Sequence, residues 1–260
     1  MPEPLPKPMP APIEFDRAGV RVIQIASESQ HNSFTPAFEA ALKAALRRAD
    51  ADEQVRAIAL CIGSAQQQEP AELCPETLRL SSAAQVDLWV DGITDLYATV
   101  LRLNKPSVAA IDGIATGMSF QLAMMFDWRL MAESASFRLP GLNHGVGSPV
   151  GVTILRELGT FNLMREIVYG GSQIPAARAQ SYGLVNEVVE ASAVLNSTIG
   201  AAHRLAAYPE TAFQKTKRVA NQLLLDKLVK AAPVSKEAHR NIFSVRNLSD
   251  FFGSTDASAV

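Results

Sequence analysis

The clearest local signal for chemistry is a glycine turn that joins an apolar strand to an apolar helix. Residues 107–112 predict a buried strand, Gly113 to Gly117 a turn, and 118–126 a helix. The first N–H groups of a helix lack intrahelical partners, and the helix dipole makes that end positive. Glycine allows close backbone approach, so this turn could hold an anion or a developing oxyanion. Equally, the glycines could serve only tight packing of helix on sheet.

Several other chemistries have no motif in the sequence. Neither the dinucleotide spacing GxGxxG nor the phosphate-loop lysine motif occurs, which disfavours a nucleotide site. Ser119 lies in the turn, but the GxSxG elbow of serine hydrolases is absent. There is no Cys/His cluster and the histidines are widely spaced, so we expect no metal site. The four histidines are His31, His144, His203 and His239.

Composition excludes further classes of protein. The 260 residues carry a formal net charge of −2, and without a basic excess we expect no nucleic-acid partner. No apolar run reaches about 18 residues, so we expect no membrane span, and we expect no signal peptide. Cys61 and Cys74 are too few for a disulfide framework. These features favour a soluble protein of a reduced, cytoplasmic compartment.

The chain divides into three parts. Proline at every second position from Pro2 to Pro12 predicts a disordered tail over 1–14. Alternating strand and helix patterns predict an α/β core over 15–190, and amphipathic patterns predict a helical region over 191–260. Within the core, Thr35-Pro36 predicts the start of a helix, and the continuous apolar strands predict a sheet covered on both faces.

Three blocks of the sequence, 31–60, 105–140 and 174–189, resemble the crotonase superfamily, also called the enoyl-CoA hydratase/isomerase family. The resemblance implies an α/β fold, a spiral of ββα repeats with a helical C-terminal oligomerisation region. It also implies an acyl thioester substrate, usually of coenzyme A, whose enolate is stabilised by two backbone N–H groups.

Laid on this sequence, the family pattern puts one N–H donor at Met118, just after Gly117, and the other at Ala71 in the polar loop. The two glutamates with which the hydratases deliver water fall on Gln121 and Gly141. Glutamine cannot exchange a proton as a carboxylate does, and glycine has no side chain. The resemblance therefore implies thioester chemistry other than two-glutamate hydration.

Five polar side chains near these positions are candidates for the site. His144 could transfer a proton, or it could cap a turn or pack at a subunit contact. Gln121 could bond a substrate carbonyl, and Ser148 could line the same pocket. The loop carboxylates Glu69 and Glu72 could face the site or be solvated.

The sequence has few cationic residues at the positions where the family binds coenzyme A. Neutral His31 stands where the family often has a cation, and Lys215, Lys217 and Arg218 could help or simply form a solvated helix face. The resemblance further implies a homotrimer or hexamer. Five apolar positions would help bury the helix–helix contact: Leu223, Leu224, Leu225, Leu228 and Val229.

Together these features predict an enzyme acting on an acyl-CoA or acyl-carrier thioester, with coenzyme A as part of the substrate and no separate cofactor. Decarboxylation, hydrolysis and isomerisation are its candidate reactions. Decarboxylation fits best, because it generates an enolate without removing a carbon-bound proton. The alternative is a non-catalytic thioester-binding or assembly subunit, and an acyl-CoA panel followed by mass spectrometry separates the two.

Overall fold

The computed structural model of the protein describes residues 11–25, 34–63, 82–144 and 146–245. Its strands, in chain order, are β1 (Ile13–Arg17), β2 (Val20–Ile25), β3 (Ala57–Ile62), β4 (Ser107–Ile111), β5 (Ile114–Thr116), β6 (Trp128–Ala132), β7 (Ser136–Arg138), β8 (Ile174–Pro175) and β9 (Glu187–Val189). Six of them form one sheet in the order β1-β2-β3-β4-β6-β9, in which β1 runs antiparallel to β2 and the other pairs are parallel. A second sheet has the order β5-β7-β8.

Helices connect and cover these strands. They are α1 (Pro36–Ala51), α2 (Ala83–Leu101), α3 (Met118–Ala123), α4 (Pro149–Leu158), α5 (Phe161–Val168), α6 (Ala176–Ser181), α7 (Val194–Ala206) and α8 (Glu210–Val245). A short 3-10 helix covers Gly141–His144. No helix in the described ranges is long and apolar enough to cross a membrane.

Both faces of the larger sheet are buried, as the apolar strands predicted. Alternate residues of a strand point to opposite faces, so each strand contributes side chains to two hydrophobic cores. One face, including Ile58 and Leu60, packs in the main core with α1 and α2. The other, including Ala57 and Ala59, packs against Ile199 and its neighbours in α7. The small alanines on this second face let α7 lie close to the sheet.

The start of α1 also follows the prediction. Thr35 is the N-cap, and its hydroxyl accepts a hydrogen bond from the N–H of Phe38 at 3.2 Å. Pro36 occupies the first helical position, where its missing N–H costs no hydrogen bond. Capping residues act on a helix within a few positions of themselves, so the sequence alone is enough to predict where α1 begins.

Short strands account for most differences from the predicted elements. β1 was not predicted, and the expected tail boundary after residue 14 falls inside it. The hairpin to β2 turns at Ala18 and Gly19, both with positive φ. β5 and β8 were also missed, because strands of two or three residues depend on a partner remote in sequence. α3 ends at Ala123, three residues before the predicted end.

A buried ion pair ties α8 to the sheet. Nζ of Lys217 lies 2.6 Å from Oδ2 of Asp127 and donates to the carbonyl of Lys105 at 2.9 Å. The same carboxylate oxygen accepts from the N–H and the hydroxyl of Ser107, both at 2.8 Å. Lys217 is therefore not part of a solvated face, whereas Lys215 and Arg218 are exposed. Lys217 is committed to this structural contact.

The leucine-rich part of α8 divides between two environments. Leu224 and Leu228 are buried within this chain, where α8 packs against α2 and α4. Leu223 and Val229 are exposed, and Leu225 is half-buried. Two of the five residues assigned to a subunit contact thus belong to the chain's own core, because α8 turns that side toward its own helices.

Candidate active site

The predicted glycine turn forms a sharp junction between β5 and α3. Gly117 has φ +57°, a left-handed value that favours glycine, and no described atom lies within 4 Å of where its Cβ would stand. Its N–H donates to the carbonyl of Arg138 at 2.9 Å, which fixes the turn to β7. The first helical bond runs from Gln121 N to Gly117 O at 3.0 Å. Met118 is consequently the first helical residue, and its N–H belongs to the unpaired first turn.

Gln121 is buried one turn into α3 and has a defined hydrogen bond. The hydroxyl of Tyr97, which is fully buried in α2, donates to Oε1 of Gln121 at 3.1 Å. A second, longer contact of 3.4 Å joins the same hydroxyl to the carbonyl of Met118. With Oε1 engaged by Tyr97, the amide nitrogen Nε2 faces the other way.

Ser148 and Gln121 meet at Gly151. A Cβ added to Gly151 would overlap Ser148 Oγ and would lie 3.3 Å from Nε2 of Gln121. Although Ser148 is the N-cap residue of α4, its side chain makes no capping bond, so its hydroxyl is not committed to the helix. Two residues assigned to substrate binding from the sequence are thus neighbours, and Gly151 provides the room for both.

Gly141 begins the 3-10 helix, and the backbone of Val146 lies close to it. A Cβ at this position would come within 2.9 Å of the carbonyl oxygen of Val146, a backbone atom that cannot simply rotate away. Val146 N also donates to Gly141 O at 2.7 Å. The position supplies no side chain, and its neighbours leave no room for one without a backbone shift.

Several predicted site residues fall outside what the structure describes. Ala71, Glu69, Glu72 and His31 lie beyond the described residues. His144 closes the 3-10 helix, but only its backbone is described. The second N–H donor and the histidine acid or base therefore stay predictions.

The last turns of α8 pack beside the glycine-rich segment. A Cβ on Gly147 would stand 3.4 Å from the methyl group of Ala238, and the neighbouring His239 ring meets Trp89 edge-on at 5.2 Å between centroids. Nδ1 of His239 donates to the carbonyl of Ser235 at 2.6 Å. Burial lowers the pKa of His239, so the ring is neutral at pH 7.

Ion pairs hold this end of α8 to α2. Arg240 Nε lies 2.6 Å from Asp87 Oδ1, and Lys236 Nζ lies 2.6 Å from Asp91 Oδ1. Trp89 lies between the two aspartates in sequence and faces inward. This contact was not predictable from local sequence patterns, because α2 and α8 meet only in the folded chain.

Glu39 of α1 is a buried carboxyl group near Tyr97. It is 2% exposed, and its Oε1 has no hydrogen-bond partner in the described part of the chain. A Cβ on Gly92 would overlap its other oxygen, so glycine at 92 makes room for the carboxyl. Burial raises the pKa of Glu39 to about 8, against a smaller opposing effect of Lys43. The carboxyl is mostly protonated at neutral pH.

We predict that Glu39→Gln stabilises the protein more at pH 8 than at pH 5. Below pH 4.5 the carboxyl is protonated in both states. Between pH 4.5 and about 8, the unfolded chain loses the proton while the folded chain keeps it, so wild-type stability falls. Urea unfolding should show the mutant gaining about 2 to 3 kcal/mol on wild type between pH 5 and pH 8.

The matched control for this prediction is Glu53→Gln, at an exposed position after the same helix. It should shift stability equally at both pH values. An equal shift for Glu39→Gln as well would contradict the assignment of a buried, protonated carboxyl.

The comparisons with known proteins agree with this architecture. The sequence profile of enoyl-CoA hydratase/isomerase matches residues 16–252. The chain belongs to the enoyl-CoA hydratase/isomerase family. Members of this family act on acyl-CoA thioesters. The crotonase fold expected from the resemblance is confirmed.

One curated relative within the family is a carboxymethylproline synthase of Pectobacterium carotovorum subsp. carotovorum. It is 41% identical over 233 residues, which cover 90% of this chain and 93% of the relative. Among solved structures, ThnE from S. clavuligerus is 29% identical with a TM-score of 0.73, covering 87% of this chain and all of that one. A methylmalonyl-CoA decarboxylase in complex with 2-nitronate-propionyl-CoA is 20% identical with a TM-score of 0.75, covering 89% and 91%, and shares the fold.

The described residues contain no group of three or more His, Cys, Asp or Glu side chains that could hold a metal ion. The polar groups shown to meet near α3 are Gln121 Nε2 and Ser148 Oγ, and both can donate hydrogen bonds. Tyr97 and Gly151 complete this arrangement and were not singled out from the sequence. Tyr97 falls on the apolar face of α2, where an aromatic residue resembles any other core residue.

Proposed function

We propose that this chain is an enzyme that decarboxylates an acyl-CoA thioester carrying a carboxylate on its α-carbon and joins the resulting enolate to a carbon electrophile. The observation that carries the proposal is the donor-rich surface at the start of α3, where Gln121 and Ser148 converge. The two positions that hold glutamates in hydratases have an amide and no side chain in this chain. Such a site suits charge stabilisation better than proton removal.

The N–H of Met118, together with that of Ala71, would bind the thioester oxygen. Fixed donors are most useful when the charge develops only during the reaction, as it does on an enolate oxygen. The sharp turn at Gly117 supports this role, because no atom of the described residues lies within 4 Å of where a Gly117 Cβ would stand, next to the first-turn N–H groups.

Decarboxylation needs no base at the α-carbon. The bond between the α-carbon and the carboxylate breaks, carbon dioxide leaves, and the electron pair moves onto the α-carbon and the thioester oxygen. Gln121 Nε2 and Ser148 Oγ would orient the carboxylate before it leaves. Coenzyme A enters with the substrate, and the step requires no other cofactor.

The name of the 41% identical relative suggests the second half of the reaction. A carboxymethyl group on a proline ring is what an acetyl-thioester enolate would add to a carbon of that ring. If that carbon is part of a C=N bond, the nitrogen receives the electron pair and then a proton. We therefore propose malonyl-CoA and a pyrroline carboxylate as the substrate pair to test.

The test is incubation with malonyl-CoA, with and without a pyrroline carboxylate, followed by mass spectrometry and by calorimetric titration of malonyl-CoA. We expect acetyl-CoA from malonyl-CoA alone and a new carbon–carbon product when the pyrroline is added. Crotonyl-CoA, the control substrate, should not be hydrated. Binding without turnover would contradict the proposal and favour a non-catalytic thioester-binding subunit. Hydration of crotonyl-CoA would also contradict it, because hydration is the reaction that the hydratases perform with two glutamates.

We also propose that the chain assembles as a homotrimer or hexamer. Support comes from the exposed apolar side chains of α8, Val219, Leu223 and Val229, each more than half exposed in the single chain. Sedimentation equilibrium should give three or six times the 28.0 kDa chain mass. A stable monomer at micromolar concentration would contradict this assembly.

A further inference from the structure

A tyrosine of α2 hydrogen-bonds one end of the Gln121 amide. The Tyr97 hydroxyl is buried and sits 3.1 Å from Oε1 of Gln121. Burial, with the nearby Glu39, raises the pKa of Tyr97 well above its ordinary value, so the hydroxyl keeps its proton. The alternative acceptor, the Met118 carbonyl, is farther away at 3.4 Å. The proton is therefore directed at the glutamine.

The orientation matters because the two ends of an amide have the same shape and opposite hydrogen-bonding roles. Oε1 accepts hydrogen bonds, whereas Nε2 donates them. A flipped Gln121 would present an acceptor to the pocket and repel the carboxylate or enolate oxygen that the proposed reaction places there. In the observed orientation Nε2 lies beside Gly151, next to the Ser148 hydroxyl.

We propose that Tyr97 is a positioning residue that holds the Gln121 amide with Nε2 toward the substrate, and so sets the donor character of this side of the pocket. The inference rests on the proposed function and goes beyond it, because it assigns a role to a residue that does not itself contact the substrate. It also names the class of group recognised opposite the thioester oxygen, an anionic or carbonyl oxygen.

The test is a double-mutant cycle with Tyr97→Phe, Gln121→Met and both together. Phenylalanine keeps the ring and removes only the hydroxyl, and methionine keeps the side-chain length and removes both amide groups. We expect Tyr97→Phe to lower kcat for malonyl-CoA decarboxylation about tenfold, with KM within about threefold. In the Gln121→Met background the same change should alter kcat less than about twofold. Thermal unfolding verifies that all variants fold.

An equal loss of kcat in both backgrounds would overturn the inference, because Tyr97 would then act through packing and not through the amide. Wild-type turnover is measured first, so failure of the proposed function is recognised separately. In that case the cycle is read from the calorimetric Kd of malonyl-CoA. If Tyr97→Phe weakens malonyl-CoA binding only when Gln121 is present, the inference is supported. It is overturned if the change weakens binding equally in both backgrounds, if it weakens binding in neither, or if malonyl-CoA does not bind at all.

Discussion

Replacing Met118 with proline is expected to lower kcat for malonyl-CoA decarboxylation about 100- to 1000-fold, the usual effect of removing one oxyanion donor. Proline has no N–H, and at the first helical position that N–H takes part in no helical bond. Gly117, with φ +57° and ψ −115°, has a non-helical backbone that can precede proline. The substitution therefore removes a donor while α3 keeps its own hydrogen bonds.

Met118→Leu is the matched control, because it alters the side chain and retains the N–H. Its kcat should stay within a few-fold of wild type, and circular dichroism should show that both variants are folded. If Met118→Pro is folded and as active as Met118→Leu, the Met118 N–H is not the donor that stabilises the enolate.

Replacing Lys217 with methionine is expected to lower the free energy of unfolding by about 3 kcal/mol. The lysine is buried, and its loss leaves the Asp127 carboxylate without its ion-pair partner and, within the described ranges, hydrogen-bonded to Ser107 alone. Removing one partner of a buried pair is costly because the remaining charge is not compensated. Urea unfolding measures the change through the transition midpoint at constant slope.

Two further variants distinguish this cause from a general effect on α8. Lys227→Met removes a partly exposed ion pair with Glu157 on the same helix and should cost less than about 1 kcal/mol. The double variant Lys217→Met with Asp127→Asn should be more stable than the sum of the single changes predicts, because the uncompensated charge is gone. Equal costs for Lys217→Met and Lys227→Met would contradict a special role for the buried pair.

The parts of the fold that local chemistry determines were predictable. The cap at Thr35, the apolar strands and the glycine turn at Gly117 all depend on residues close in sequence. β5 and β8 were not predictable, because strands of two or three residues form only beside their partners. β1 was missed for another reason: it is mostly exposed and carries charged residues, so it lacks the apolar run of the buried strands. Lys217 shows the same limit, since its position on a charged helix gives no sign of Asp127, ninety residues away.

The candidate site was likewise predictable only in part. Family resemblance identified Gln121, and its place in the glycine-rich stretch identified Ser148, but only the folded chain shows that they meet at Gly151. The role of Tyr97 was hidden because its ring fits the apolar face of α2. The usable signal is that a buried tyrosine hydroxyl needs a partner, which marks it as different from phenylalanine at the same position.

The most direct test of enolate stabilisation is a crystal structure with bound 2-nitronate-propionyl-CoA, whose nitronate group resembles an enolate in charge and shape. We expect the thioester oxygen within hydrogen-bond distance of Met118 N, and a nitronate oxygen within hydrogen-bond distance of Gln121 Nε2 or Ser148 Oγ. A thioester oxygen turned away from Met118 N, or a carboxylate side chain poised at the α-carbon, would contradict it.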